Sequence, residues 1–226
     1  MMTVSENYKK ITNKIASACS RIGKSPEEIE IVGVCKGQNS DKIREAYECG
    51  VKIMGENKTQ EADIHQEELT DLDIDWHFIG KLQKNKINRI LNSFNFIQSV
   101  DGVKSIEHIH KRVLDSRDVF IEINIGEEKT KSGFTETGLK KALAYIQKLN
   151  RVNIIGLMAI PPAVDDPEDI RPYFRRIREL GEEINRMNLV NFEIKHLSMG
   201  MSYDYEIAIE EGATMVRIGT ALFGRR

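Results

Sequence analysis

Lys36 closes an otherwise apolar run, Ile31-Val32-Gly33-Val34-Cys35. An amine turned inward at the end of such a strand would lose solvation, which lowers its pKa and exposes a free base. A free amine condenses with a carbonyl to a Schiff base. The alternative is a surface lysine just past a strand. Far along the chain, Ser198 offers a hydroxyl and Gly200 permits close approach of backbone. Gly219 and Thr220 open a short helical turn over 220–223, whose free N–H groups would face an anion. Together they suit a phosphate, although both glycines could simply shape turns. Arg217 precedes Gly219 within a strand-like run. A buried arginine needs a partner for its charge; an ion pair with a carboxylate such as Glu122 is the purely structural reading. His77 could act as a base, or be a hydrogen-bonded structural histidine. No Ser-His-Asp set, metal-ligand cluster or phosphate-binding P-loop stands in the sequence.

These residues share a place because of the elements that carry them. Val4, Tyr8, Ile11, Ile15, Ala18 and Ile22 recur at helical spacing, and Gly23 with Ser25-Pro26 ends that helix. Apolar, β-rich runs then alternate with helical ones. Strands are expected at 29–36, 51–54, 76–79, 96–100, 119–125, 152–158, 192–197 and 215–218. Helices are expected at 40–49 (capped by Ser40), 58–68, 85–91, 103–114, 136–149, 170–187 and 203–211. Strands alternating with helices imply parallel pairing and right-handed crossovers. Eight of them imply a closed (β/α)8 TIM barrel, with the extra N-terminal helix standing in for the one missing after strand eight. In that architecture chemistry sits where strands run into the following loops. Lys36, Asn57, His77, Ser198, Met199, Arg217, Gly219 and Thr220 all fall at such junctions.

The chain has 226 residues, 40 % hydrophobic and 30 % charged, with a formal net charge of −2. Its length suits one barrel of roughly 250 residues, so residues 1–226 are read as one domain. The charge balance gives no bulk attraction for nucleic acid or an anionic membrane. There is no secretory h-region and no apolar run near the ~20 residues of a membrane span. Cys19, Cys35 and Cys49 show no paired spacing. Free thiols suit a reducing compartment, and the expectation is a cytoplasmic protein. No exposed apolar helix face stands out, which favours a monomer. The run Asp165-Asp166-Pro167-Glu168-Asp169 reads as a solvated acidic loop.

Taken in order, the junction motifs resemble the pyridoxal-phosphate homeostasis protein family, whose fold is the barrel domain of alanine racemase. The most specific segment is Leu197-Ser198-Met199-Gly200-Met201-Ser202, continued by residues 212–224, GATMVRIGTALFG. His77-Phe78-Ile79-Gly80 with Leu82-Gln83 and Asn85-Lys86, Met54-Gly55-Glu56-Asn57 with Gln60-Glu61, Gly156-Leu157-Met158 before Pro161, and Lys131-Ser132-Gly133 complete it. The resemblance implies pyridoxal 5′-phosphate as cofactor and Lys36 as its Schiff-base lysine. It implies Ser198, Gly219 and Thr220 as phosphate ligands, Arg217 at the pyridine nitrogen and Asn57 on the ring side; Met199 and His77, from the same motifs, complete the expected cofactor set. Cys35 and Gly37 depart from the serine and polar residue the family usually carries around that lysine.

An arginine at the ring nitrogen disfavours its protonation and leaves the cofactor a weaker electron sink. Alanine racemases add a tyrosine from a C-terminal β domain of the partner subunit. Here residue 226 follows the barrel directly, and no such domain is expected. Tyr203 and Tyr205 near the rim could replace that tyrosine, or could open a helix as packing residues. The first expectation is thus a carrier that buffers pyridoxal phosphate and releases it to dependent apoenzymes. A racemase-like or class I aldolase-like enzyme is the second, and a barrel for another phosphorylated metabolite the third.

Overall fold

The computed structural model describes residues 3–225; Met1 and Met2 of the N-terminal stretch, and Arg226 at the chain end, lie outside the described residues. Eight parallel strands close into a barrel in chain order: β1 (Glu30–Val34), β2 (Ile53–Glu56), β3 (Asp75–Phe78), β4 (Phe96–Val100), β5 (Arg117–Ile123), β6 (Val152–Ala159), β7 (Phe192–Ser198) and β8 (Met215–Ile218). β8 closes on β1 with Arg217 opposite Val32. The helices are α1 (Val4–Arg21), α2 (Ser40–Cys49), α3 (Thr59–Glu68), α4 (Ile87–Ser93), α5 (Val103–His110), α6 (Glu136–Ile146), α7 (Arg171–Arg186), α8 (Tyr205–Glu210) and the single turn α9 (Thr220–Phe223). This is the expected (β/α)8 barrel.

Side chains alternate across each strand. Phe78, Ile97, Ile121, Leu157 and Val216 point outward into one continuous core beneath the helices. Val32, Ile53, Phe120, Met158 and Met215 form a separate, smaller apolar cluster inside the barrel. Gly156 makes room for it: a Cβ there would lie 2.5 Å from the Phe120 ring.

α1 begins with a reciprocal cap, in which Thr3 Oγ1 accepts from Glu6 N at 3.1 Å and Thr3 N donates to Glu6 Oε2 at 2.9 Å. It packs against α2, α8 and α9, in the place of the helix that β8 lacks. Lys14 and Arg21 pin it to Glu206 and Glu210 on α8 at 2.8 and 2.6 Å. Its inward face holds Ile11, Ile15, Ala18 and Cys19, whereas Ile22, expected on that face, is 41 % exposed beyond the last turn.

Other expectations shift at element ends. Asn39, not Ser40, caps α2, its Oδ1 accepting from Lys42 N at 3.1 Å. α5 stops at His110, and Leu114 is left exposed. α8 starts at Tyr205 rather than 203. β1 stops at Val34, because Cys35–Gln38 turn on a bond from Gln38 N to Cys35 O at 2.9 Å, with Gly37 at φ +65°. Among the described residues, no helix is long and apolar enough to cross a membrane.

Candidate functional site

The C-terminal ends of β1 and β8 and the loop after β7 enclose a cavity of about 520 Å³. Lys36, Arg217, Gly219 and Thr220 line it together with Val34, Gln38, Met201, Ser202, Tyr203, Gly224 and Arg225. Its lining carries three cationic side chains and no carboxylate. That electrostatic bias selects an anion or an electron-rich acceptor.

Lys36 reaches the cavity from the turn after β1, and it is exposed. The expected inward, desolvated amine is therefore corrected: the turn at Gly37 lifts position 36 off the strand and into solvent. Beneath the turn, Cys35 is fully buried, and burial pushes its thiol well above the usual range. The turn is tied at two further points. Gly37 N donates to Glu61 Oε2 at 3.2 Å. His65 Nε2 stands 3.2 Å from Gln38 O, and its Nδ1 is 2.7 Å from the fully buried Glu56. Burial raises the Glu56 carboxyl and the Glu56 contact raises His65 behind the lysine turn.

Arg217 is 4 % exposed, and burial pushes it down to about 10, with Asp204 and Glu122 opposing from a distance. It remains a cation at neutral pH. Its hydrogen bonds go to neutral oxygens: Nη1 to Ser198 O at 2.5 Å and Ser198 Oγ at 2.8 Å, and Nη2 to Ala159 O at 2.8 Å. The ion pair with Glu122 does not form; that carboxyl, raised by burial, accepts instead from Ser132 Oγ at 3.3 Å.

The remaining expected residues do not line the cavity. Ser198 is fully buried one layer deeper, its hydroxyl donating to Gln98 Oε1 at 2.6 Å. Met199 turns outward into the core. His77 lies inside the barrel, with Nδ1 2.6 Å from Gln98 Nε2 and its ring 4.9 Å from that of Phe96. Asn57 sits beyond β2 against Gly80, with a buried Oδ1 that has no hydrogen-bond partner. Gly200, at φ +88°, makes room for α8 rather than for a ligand: a Cβ there would lie 2.5 Å from Ala208 Cβ. At α9 one expected free donor is taken, since Ala221 N donates to Ser202 Oγ at 3.1 Å. The two rim tyrosines divide: Tyr205 packs, its phenol pushed up to about 12 by burial, while Tyr203 is 83 % exposed on the cavity lining.

Ser202, Gln38 and Arg225 carried no signal beyond proximity to Lys36 and Gly219. Gln98 did carry one: it is an amide in the apolar strand Phe96–Val100, and it is fully buried. Such a group must be hydrogen-bonded.

A parallel eight-stranded barrel with a cation-lined cavity and a lysine at the β1 end defines the class. Residues 7–226 match the family "Alanine racemase, N-terminal domain". The pyridoxal phosphate homeostasis protein of Aquifex aeolicus is 44 % identical over 228 residues, covering 100 % of this chain and 99 % of that protein. The homologue in Pseudomonas aeruginosa is 37 % identical, covering 100 % and 97 %. PipY of Synechococcus elongatus, solved with PLP bound, superposes with a TM-score of 0.81 at 33 % identity, over 93 % of this chain and 100 % of PipY. An alanine racemase of Clostridium difficile shares the fold at 16 % identity and a TM-score of 0.72, covering 98 % of this chain and 56 % of the racemase. The chain belongs to the alanine racemase N-terminal domain family and, within it, to the pyridoxal phosphate homeostasis proteins.

Proposed function

We propose that this chain binds pyridoxal 5′-phosphate in the β1–β8 cavity, holds it as a Schiff base on Lys36, and serves as a carrier that takes up and releases the cofactor. The observation that carries the reading is the pairing of Lys36 with a buried, carboxylate-free guanidinium on one cavity of about 520 Å³. The volume lies in the range of small-ligand sites, roughly 300–1,000 Å³. PipY, a 33 % identical relative, has been solved with PLP bound, and the curated relatives carry the homeostasis name.

The residues divide the work by position. Lys36 would hold the aldehyde end of the cofactor, its Nζ supplying the amine that a Schiff base requires. Arg217 offers its remaining N–H groups to an acceptor deep in the cavity. Gly219, Thr220 and Ser202 at the β8 end suit the phosphate. When bound, the cofactor supplies an electrophilic aldehyde and a ring that can act as an electron sink. Exposure of Lys36 supports reversible loading, since water reaches the bond that must hydrolyse on release.

Purified protein mixed with pyridoxal phosphate is expected to show a Schiff-base absorbance band, and borohydride is expected to fix one equivalent to Lys36. A Lys36→Ala chain that kept both band and adduct would sink this reading. The exposed Tyr203 on the lining supports a second, racemase-like reading. Deuterium incorporation at Cα of an added amino acid, lost in Tyr203→Phe, would favour it over a pure carrier.

A further inference from the structure

We propose that Gln98 and His77 are positioning residues for Arg217, acting through Ser198 along a one-way chain of hydrogen bonds across the barrel interior. The proposal rests on the cofactor reading for the ligand half of its test; the other half needs no ligand.

The chain begins at Arg217 Nη1, 2.8 Å from Ser198 Oγ. Ser198 Oγ is 2.6 Å from Gln98 Oε1, and Gln98 Nε2 is 2.6 Å from His77 Nδ1. His77 Nε2 then stands 3.3 Å from Asp75 Oδ2, with no hydrogen bond formed. Ser198, Gln98 and His77 are each at most 1 % exposed and Arg217 4 %. They sit on β7, β4, β3 and β8. Since β4 and β7 are not neighbours in the barrel, the Ser198–Gln98 bond spans its interior.

Direction follows from chemistry at the Arg217 end. A guanidinium can only donate. Ser198 Oγ accepts from it, so the hydroxyl proton is free to donate onward, and the group within reach is the carbonyl oxygen of Gln98. That fixes the amide the other way round at its far side, where NH₂ faces His77. His77 Nδ1 must then accept, and its proton must sit on Nε2, turned toward Asp75. The orientations of Ser198, Gln98 and His77 are thus set by one cation.

The coupling runs back the same way. With Nδ1 unprotonated, Gln98 keeps its carbonyl toward Ser198, and Ser198 keeps a lone pair toward Arg217. Were Nδ1 to carry a proton, Gln98 would have to flip and the Ser198 proton would be turned out of its bond, toward the guanidinium. The titratable groups that bear on His77 are Asp75 on its own strand and His196 on β7, which Glu30 approaches at 3.8 Å. Arg217 is a planar fork. Pinned at Nη1 by Ser198 and at Nη2 by Ala159 O, it is held in one orientation toward the cavity.

The test has two halves. In the unliganded wild-type chain, ¹⁵N-resolved imidazole spectra should show His77, identified by the signal missing in His77→Asn, protonated at Nε2 and bare at Nδ1. A proton on Nδ1 overturns the proposal. Gln98→Glu keeps the shape and, as a carboxylate, needs a hydrogen from both sides, so Nδ1 of His77 should gain a proton; a bare Nδ1 beside the ionised carboxylate also overturns it. In the second half, pyridoxal phosphate is titrated. Gln98→Leu should raise Kd about tenfold, Arg217→Lys should raise it more, and the double variant should be no weaker than Arg217→Lys alone, because both act through one group. Additive losses overturn the positioning role. A wild-type chain with no absorbance band counts against the cofactor reading instead, and the two tautomer measurements then decide the chain by themselves.

Discussion

Two arginines of this chain are held in opposite ways. Arg176, on α7, is partly exposed and makes four hydrogen bonds to three carboxylates: Glu136 at 2.6 and 2.9 Å, Glu179 at 3.0 Å and Glu183 at 2.9 Å. Lys140 joins Glu136 and Glu183 at 2.8 and 2.7 Å, which ties α6 to α7. Arg217, inside the barrel, is almost fully buried and meets only two carbonyls and a hydroxyl. Outside, where water already screens charge, the guanidinium is saturated with anions. Inside, where an uncompensated charge is most costly, none is supplied. The surface arginine spends its bonds on holding helices together. The interior one is fixed by dipoles, and its charge stays available to whatever enters the cavity.

The sharpest way to break that contrast is to delete each cation and measure ligand binding. Arg217→Met is expected to weaken pyridoxal phosphate binding by about 100-fold, since charge-assisted bonds to a buried guanidinium are lost. Arg176→Met should leave Kd within about twofold. Equal losses at the two positions would end the distinction. A smaller effect, on stability, comes from the tight packing of the barrel mouth. A Cβ on Gly80 would lie 2.0 Å from Asn57 O and 2.6 Å from Asn57 C, backbone against backbone. Gly80→Ala is therefore expected to cost about 3 kcal/mol in chemical denaturation. A loss under about 0.5 kcal/mol would mean that the two loops part easily.

Much of the interior was legible, and its failures have a physical pattern. The eight strands could be read because each carries an apolar row on the side the helices cover, down to Trp76 and Phe78 in the short β3 and Ile194 and Leu197 in β7. Lys36, Arg217, Gly219 and Thr220 line one cavity, as their positions at or just past the ends of apolar runs suggest. Ser198 lies deeper than its place at the end of an apolar run suggests, because the sequence does not give the register. It pairs with Met215, one layer below Arg217, and the stagger that sets that depth is a property of the closed barrel. Met199, the next residue, faces the other side of the chain and packs in the outer core. His77 and Gln98 face each other only because β3 and β4 pair with His77 opposite Phe96. Lys36 was placed on the right rim but in the wrong environment, because Gly37 converts the end of β1 into a turn.

The surface arginine provides the mildest test and the one with a pH sign. Its guanidinium holds the Glu136 carboxyl down to about 2, against an ordinary 4.5, and also lowers Glu183. A carboxyl depressed on folding contributes stability that is fully present above its unfolded pKa and disappears as pH falls through the folded value. The window here runs from about pH 5 down to about pH 2. The groups are largely solvent-screened, so the network should contribute on the order of 1 kcal/mol, or about 2–4 °C in Tm for a chain of this size. Wild type should therefore melt above Arg176→Ala at pH 6, and the gap should close as the pH is lowered toward 2. It should also narrow in 1 M salt, where the screening length falls to about 3 Å. No such titration is expected between wild type and Gln98→Leu, whose lost contacts are neutral. If the Arg176 gap persisted undiminished at pH 2, its origin would be the packing of the arginine stem along α7, and the surface network would resemble the interior one in being held by shape and dipoles instead of by paired charge.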